Sequence, residues 1–382
     1  MKAAIDSRMV EAGMTFFALK GEKVDGHDFL EEVAEKGAVE AVVEEGYAGP
    51  DFGMRLCRVA DVKEELWKRA REKRKAFTGK VVGITGSVGK TTTKEFLATL
   101  LESTFSVGKS LGSYNSQLTL PLTILNCEGD VWVLEMGMSR PGELARLTEI
   151  AQPEIVLVTK IAYSHSEFFD DLEGIARAKA EILKSPRLEK TFVGKQVREF
   201  SFFEMGEVPE EVEIELPFAA THLRENFFLA KAAAEYLGLS LSEICKQAKK
   251  LSPFTRRFER IEVGGICFIN DTYNANPASV KAALANLPEG RRRIAVLGEM
   301  RELGKFSQEC HKDVSAFAKK SCDRFFTLGE AFAGESVDHF SEKEKLLDAL
   351  RNELREGDVV LLKGSNSLQM WTLLDHLSSK MA

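Results

Sequence analysis

A glycine-rich loop directly after a short apolar run is the feature that most limits how this chain can fold. Residues 80–85 read Lys-Val-Val-Gly-Ile-Thr, and the sequence Gly-Ser-Val-Gly follows before Lys90. The apolar run predicts a buried strand, and the apolar periodicity from Thr91 to Leu101 predicts a helix. A strand that enters a helix through such a loop is typical of a parallel sheet with helices packed on its faces.

The composition of this loop predicts that it binds phosphate. Glycines allow backbone N–H groups to curl around phosphate oxygens, and the following helix presents its positive end to them. We expect Lys90 to reach the β- and γ-phosphates, and the Thr91 hydroxyl to contact magnesium. Ile84 stands where the longer phosphate-loop pattern has its first glycine, but the short Thr-Gly-x-x-Gly-Lys-Thr form is complete. The predicted ligand is ATP with magnesium, and the predicted contacts are Gly86, Ser87, Val88, Gly89, Lys90, Thr91 and Thr92.

Predicted strands and helices alternate along the rest of the chain, which indicates an α/β fold. With 382 residues the chain is too long for one ordinary core. We predict three domains: a small N-terminal α/β domain (residues 1–76), a central parallel-sheet ATPase domain (77–251) and a C-terminal Rossmann-like domain (252–382). The charged segment from Lys63 to Lys75 predicts a solvated helix that leads into a linker.

Composition and charge exclude several other classes of protein. The net charge of −7 argues against a nucleic-acid-binding protein, which usually has a basic face. The six cysteines form no close pair, which argues against a zinc ribbon or a C-x-x-C redox site. The sequence has no signal-peptide pattern and no apolar run of membrane-spanning length. We therefore expect a cytoplasmic protein without membrane insertion. We also expect the protein to be a monomer.

Two polar residues close to predicted strand ends are candidate magnesium ligands. Glu135 lies at the end of an apolar run that begins at Val131, where a carboxylate has no role in packing. At the carboxyl end of a parallel strand it is expected to point into the ligand crevice. His165 follows the next predicted strand, residues 155–159. From the spacing alone, Glu135 is either a ligand or an exposed strand-end carboxylate, and His165 either a ligand or an ordinary loop histidine.

Motifs along nearly the whole chain resemble those of the Mur ligase family. The most specific of them are Asp271-Thr-Tyr-Asn-Ala-Asn-Pro277 and Leu297-Gly-Glu-Met-Arg-Glu-Leu-Gly304. Others are Asp6-Ser-Arg8, Asp25-Gly-His27, the phosphate loop, Glu135-Met-Gly137, His222 with Asn226, and Lys363-Gly-Ser365. The Asp-Asn-Pro-Arg signature of the sister type that adds the third amino acid is absent from this sequence.

The resemblance implies an ATP-dependent amide ligase of peptidoglycan precursor synthesis. ATP would phosphorylate the terminal carboxylate of UDP-N-acetylmuramoyl-tripeptide, and the amine of D-alanyl-D-alanine would then displace phosphate from the acyl phosphate. Two alternatives stay open: a family member that joins another carboxylate and amine, and a catalytically weak homologue that binds nucleotide. The first is motivated by Ser113, Ser116 and Thr119, which replace the residues typical of the substrate loop.

The resemblance also implies roles for single residues. The catalytic residues would be Lys90, His165, Lys179 and Arg257. Two magnesium ions would be held by Thr91, Glu135, His165 and Lys179, the last as a carbamate. Asn226 would lie by the adenine, Arg257 near the transferred phosphate and Asp271 near the ribose. Substrate contacts would be Ser7, Arg8, Asn115, Asn274 and Asn276. At some positions the sequence differs from the family pattern. Residues typical of the family are replaced there by Lys160, Asp170-Asp171, Arg256 and Asn366.

Overall fold

Three β-sheets follow one another along the chain, and helices cover their faces. The computed structural model describes residues 2–164, 166–336 and 338–381. The sheets have four, five and six strands in chain order. This arrangement confirms the predicted α/β fold. Among the described residues, no helix is both long enough and apolar enough to cross a membrane.

The first sheet is parallel, with the strand order β1-β2-β3-β4. Its strands are β1 (Ala3–Ala4), β2 (Thr15–Phe17), β3 (Glu40–Glu44) and β4 (Arg55–Val59). Helix α1 (Leu30–Glu35) lies between β2 and β3, and α2 (Val62–Ala76) follows β4. The sequence predicts strands at residues 16–19 and 39–43 and a helix at 27–36, and these predictions overlap β2, β3 and α1. It did not reveal β1, which has only two residues, or β4, in which two of the five residues are exposed arginines.

Helix α2 is not the solvated helix that its charge predicts, and that prediction is wrong. Leu66 and Ala70, one helical turn apart, are fully buried, and so is the Arg74 side chain. Its guanidinium donates to Glu154 Oε1 at 2.5 Å and to the carbonyl oxygens of Ala151 and Gln152, both at 2.7 Å. The apolar spacing was the signal to follow, because a count of charges does not show which face of a helix is buried.

The second sheet contains the phosphate loop at its centre. All five strands are parallel, in the order β6-β7-β5-β8-β9. They are β5 (Lys80–Thr85), β6 (Val107–Lys109), β7 (Val131–Glu135), β8 (Ile155–Val158) and β9 (Lys190–Val193). Its helices are α3 (Lys90–Leu101), α4 (Thr119–Asn126), α5 (Glu143–Ala151), α6 (Leu172–Lys179), α7 (Thr221–Tyr236) and α8 (Leu241–Ala248). Strand β5 lies between β7 and β8, so the residues that follow these three strands meet at one edge of the sheet.

The third sheet is mixed, with the order β10-β11-β15-β12-β13-β14. Its strands are β10 (Glu259–Val263), β11 (Ile266–Asn270), β12 (Arg293–Gly298), β13 (Arg324–Leu328), β14 (Asp338–Phe340) and β15 (Val359–Lys363). Its helices are α9 (Pro277–Ala285), α10 (Ser307–Ser321), α11 (Lys343–Glu353) and α12 (Trp371–Met381). The purely parallel pattern expected from alternation fails at β10, which pairs antiparallel with β11. Gly264 and Gly265 join the two strands with φ of 55° and 73°, as a tight hairpin turn requires.

The buried Arg74–Glu154 pair gives a test of how α2 is held. Arg74→Met should lower the free energy of unfolding by about 3 kcal/mol, because the buried Glu154 carboxylate loses its closest cation and keeps only Arg187 at 3.7 Å. The matched control is Lys75→Met, which removes an exposed charge from the same helical turn. Urea unfolding followed by circular dichroism measures both variants. Equal stabilities of the two variants would show that the pair contributes nothing.

Candidate active site

The phosphate loop between β5 and α3 has a backbone that requires its two glycines. Gly86 has φ of 144° and Gly89 has φ of 89°, and both values are in the region that favours glycine. A Cβ atom at Gly86 would collide with the Thr159 side chain, and one at Gly89 would collide with the amide of Asn226. The loop is also held from β8, because Ser87 N donates to Lys160 O at 2.7 Å. The predicted nucleotide residue Asn226 therefore packs directly against the loop.

Lys90 is half-buried at the start of α3, and its side chain turns back over the loop. The Nζ atom donates to Gly86 O at 2.8 Å. Desolvation lowers the pKa of Lys90; the carboxylate of Glu135 opposes this shift and the guanidinium of Arg257 adds to it. The ammonium group thus lies where it can reach any anion that the loop holds.

Thr91, Glu135, Asn115 and Arg257 form one hydrogen-bonded group beside the loop. Thr91 Oγ1 donates to Glu135 Oε2 at 2.8 Å, and Asn115 Nδ2 donates to Glu135 Oε1 at 2.6 Å. From the third sheet's side, Arg257 Nη2 donates to Thr91 Oγ1 at 3.0 Å. Glu135 is only 1% exposed. The alternative of an exposed strand-end carboxylate is therefore wrong.

The donor atoms of this group fit magnesium. A hydroxyl and a carboxylate are hard oxygen ligands, and magnesium usually combines one or two carboxylates with substrate phosphates and water. Within the described parts of the chain, no three His, Cys, Asp or Glu side chains cluster in a way that could hold a metal without such help. Phosphate oxygens would therefore have to complete the set. His165 lies outside the described residues, so its role as a ligand stays a prediction.

Lys179 is a buried lysine at the end of α6. It is 2% exposed, which excludes the alternative of an exposed helix lysine. Burial lowers its pKa well below the usual value, and the positive charge of Lys90 lowers it further. None of the hydrogen bonds or ion pairs between described residues includes the Lys179 side chain. A neutral amine is the form that these surroundings favour.

Two charged residues of the third sheet face the phosphate loop. Arg257 lies over the Tyr273 ring, with 3.7 Å between the guanidinium carbon and the ring centroid. Burial lowers the pKa of Arg257. Asp271 accepts from Lys363 Nζ at 2.6 Å and from Phe258 N at 3.1 Å. The Asp271 carboxylate, predicted to lie near the ribose, therefore has a buried cation as its partner.

The two asparagines expected to hold a substrate already use their side-chain oxygens. Asn276 caps α9, because its Oδ1 accepts from Ser279 N at 2.9 Å. Asn274 Oδ1 accepts from Ala275 N at 2.9 Å. Both residues line the cleft between the second and third sheets. Their contact with a substrate stays a prediction.

This cleft brings most of the predicted site residues together. Its volume is about 300 Å³, at the lower end of the range for small-molecule sites. The predicted residues that line it are Ser87, Val88, Gly89, Lys90, Thr91, Thr92, Asn115, Glu135, Asn226, Arg257, Asp271, Asn274 and Asn276. The predicted residues Gly86, Lys179, Ser7 and Arg8 are not among the lining residues. Ser7 is 8% exposed, whereas the Arg8 side chain is 83% exposed and pairs with Asp6 at 2.6 Å.

Sequence reasoning did not assign a site role to His222, which also lines the cleft. Its ring packs edge-on against Phe258, with 4.8 Å between centroids, and its Nδ1 is buried with no hydrogen-bond partner in the described structure. Burial lowers its pKa to about 4, so the ring is neutral at pH 7. The available signal was its position four residues before Asn226 on one helix, which places both on the same face.

Other positions have structural partners. His311 is fully buried; its Nε2 accepts from Met300 N at 2.9 Å, so it belongs to the packing of α10. Asp171 caps α6, and Asp170 pairs with Lys305 at 2.7 Å. Ser113 contacts the Tyr273 hydroxyl across the cleft. Asp170, Asp171 and Ser113, which depart from the family pattern, thus each have a partner in the structure.

Comparison with known proteins finds similarity along the whole chain. Residues 84–205 match the Mur ligase middle domain, 256–366 match the Mur ligase glutamate ligase domain, and 3–51 match the Mur ligase family catalytic domain. These matches fall inside the three predicted domains, whose boundaries stay a prediction. The UDP-N-acetylmuramoyl-tripeptide–D-alanyl-D-alanine ligase of Bacillus subtilis is 31% identical to this chain. The alignment covers 98% of this chain and 92% of that relative.

Solved structures of similar proteins have the same architecture. The crystal structure of MurF from Acinetobacter baumannii superimposes with a TM-score of 0.88 at 28% identity. The superposition covers 99% of this chain and 93% of the MurF chain. The MurF ligase from Thermotoga maritima, solved in complex with ADP, gives a TM-score of 0.86 at 28% identity, with coverage of 100% and 97%.

Proposed function

Because the chain belongs to the Mur ligase family, we propose that it is an ATP-dependent ligase that joins D-alanyl-D-alanine to UDP-N-acetylmuramoyl-tripeptide. Several relatives with that name align over more than nine-tenths of this chain. The observation that carries the proposal is the buried contact of Thr91 with both Glu135 and Arg257. It joins a phosphate loop, a carboxylate and a guanidinium from two sheets at one point.

The phosphate loop and Lys90 bind the nucleotide. Backbone N–H groups of the loop and the positive end of α3 attract the phosphates. Lys90 lies over the same loop, and Asn226 packs against it. Magnesium held by Thr91 and Glu135 would neutralise charge on the phosphate oxygens. The proposed nucleotide is ATP, in line with the ADP complex of the Thermotoga maritima relative.

The reaction consists of two displacements. A carboxylate oxygen of the tripeptide attacks the γ-phosphorus, the bond between that phosphorus and the β–γ bridging oxygen breaks, and ADP leaves. The amine of D-alanyl-D-alanine then attacks the carbonyl carbon of the acyl phosphate; the carbon–oxygen bond to phosphate breaks, and the amine loses a proton. Arg257 would stabilise charge on the transferred phosphoryl group, because phosphoryl transfer depends on alignment and charge neutralisation. Its contact with Thr91 supports this role.

We assign Lys179 as a carbamate. The neutral amine that burial favours is the nucleophilic form, so Nζ can attack carbon dioxide and lose a proton to give an anionic N-carboxyl group. The change would replace a neutral amine by an anion that attracts the Lys90 ammonium. The carbamate oxygens would be hard ligands for a second magnesium ion.

Phosphate release tests the proposed reaction. The full chain with ATP, magnesium, UDP-N-acetylmuramoyl-tripeptide and D-alanyl-D-alanine should release phosphate, and omission of either peptide substrate should abolish the release. Arg257→Lys should lower kcat by about 10²–10³-fold, because one positioned donor is lost. The matched control is Arg256→Lys, whose parent side chain stacks on Trp371, outside the cleft. If phosphate is released only with other amines, the protein is a different ligase of the family. If no phosphate is released with any amine, it is a nucleotide-binding homologue without turnover.

Bicarbonate enriched in carbon-13 tests the Lys179 assignment without an activity measurement. The wild-type protein should show a carbamate carbon signal in its NMR spectrum. Lys179→Met should lack this signal, because the substitution removes the buried amine whose pKa is lowered well below its usual value. Lys184→Met, which removes an exposed lysine a few residues later, should retain it. A signal that survives in Lys179→Met would assign the carbamate to another amine.

A further inference from the structure

Another buried lysine, Lys94, lies one helical turn after Lys90 and has no part in the chemistry above. The Lys94 side chain is fully buried, and it is not among the residues that line the cleft. An ammonium group in a protein interior is unfavourable unless it is paired and hydrogen-bonded. The partners of Lys94 therefore indicate what it does.

Two of the three partners of Lys94 belong to the loop between β6 and α4, residues 110–118, here named the 110–118 loop. Lys94 Nζ donates to Ser110 O at 2.7 Å and also contacts Gly112 O. Its third partner is Glu95 Oε1 at 2.9 Å. One ammonium group thus holds two neighbouring points of the loop against the helix that follows the phosphate loop.

The 110–118 loop has direct contact with the carboxylate at the centre of the site. Ser110 Oγ accepts from Glu135 N at 3.1 Å, and Asn115 Nδ2 donates to Glu135 Oε1 at 2.6 Å. Asn115 O in turn accepts from Gly137 N at 2.9 Å. Any shift of this loop therefore moves the Asn115 amide relative to Glu135.

Apolar packing holds the second half of this loop, where Tyr114 and Leu118 are partly buried against a hydrophobic core, but it does little for residues 110–113. Within residues 110–118, all of which the structure describes, Ser110 alone is buried. Leu111, next to it, is 61% exposed, and Gly112 has a left-handed φ of 51°. With so little apolar area removed from water at residues 110–113, this part of the loop depends on its polar contacts.

We propose that Lys94 is a positioning residue that fixes the 110–118 loop, and with it Asn115, for the carboxylate substrate. The inference rests on the proposed ligase reaction. Lys94 acts on the loop that faces the cleft from one side of Glu135, whereas the phosphate loop binds the nucleotide from the other side. Loss of the ammonium should therefore impair use of the tripeptide and spare binding of the nucleotide.

Lys94→Met tests the proposal against Lys109→Met. Lys109 pairs with the same Glu95 at 2.8 Å, and no hydrogen bond between described residues joins its side chain to a carbonyl of the 110–118 loop, so it is the matched control. Lys94→Met should lower kcat/KM for UDP-N-acetylmuramoyl-tripeptide by about 10–100-fold, as expected for a misplaced contact. The affinity for ADP without magnesium, measured by calorimetry, should equal that of the control. Hydrogen exchange should quicken at residues 110–116 in Lys94→Met only.

Equal kcat/KM values in the two variants would overturn the proposal, and so would equal exchange rates in the 110–118 loop. Exchange can be measured even if the wild-type protein does not turn over, so a failure of the ligase reaction is distinguished from a failure of this inference. Should Lys94→Met not fold, Lys94→Gln is the second variant, because its neutral amide keeps N–H donors on a slightly shorter side chain. Lys94→Gln should lower kcat/KM for the tripeptide, and a wild-type kcat/KM in this variant would contradict the role of Lys94.

Discussion

The hydrogen bond between the Thr91 hydroxyl and the Glu135 carboxylate is the contact on which the rest of the site depends. It joins the first residues of α3 to the end of β7, and both groups are almost fully buried. A buried carboxylate is unfavourable without partners. Asn115 donates to Glu135, and the positive charges of Arg257 and Lys90 lie close by. Donors and positive charges from two sheets are therefore concentrated around one carboxylate, next to a loop built for phosphate.

The topology of the second sheet explains why these groups meet. Strand β5 is hydrogen-bonded to β7 and β8, so the phosphate loop, Glu135 and Thr159 follow three adjacent strands at one edge. Ligands bind at this edge in open α/β sheets. Helix α2 connects the first sheet to this one through the buried Arg74–Glu154 pair, and the third sheet supplies Arg257 from the opposite side of the cleft.

Local patterns predicted the parts of the site that are local in sequence. The phosphate loop needs only the seven consecutive residues 85–91, and Glu135 was recognised because a carboxylate ended an apolar strand. Contacts between distant residues could not be predicted in this way. Arg74 meets Glu154 across 80 positions, and Arg257 meets Thr91 across 166. No sequence pattern marks Lys94, because nothing in the sequence shows that the 110–118 loop packs against α3. The hairpin at Gly264 and Gly265 was missed, although two consecutive glycines between short apolar segments are a recognised turn signal.

The central claim is that Thr91 and Glu135 hold magnesium against the phosphates of the nucleotide. The most direct measurement is the affinity for ADP with and without magnesium, by calorimetry, in the wild-type protein, in Glu135→Gln and in Glu128→Gln, which alters an exposed carboxylate. Magnesium should strengthen ADP binding by about tenfold or more, equivalent to 1.4 kcal/mol, in the wild type and in Glu128→Gln, and this gain should be lost in Glu135→Gln. An undiminished gain in Glu135→Gln would contradict the account.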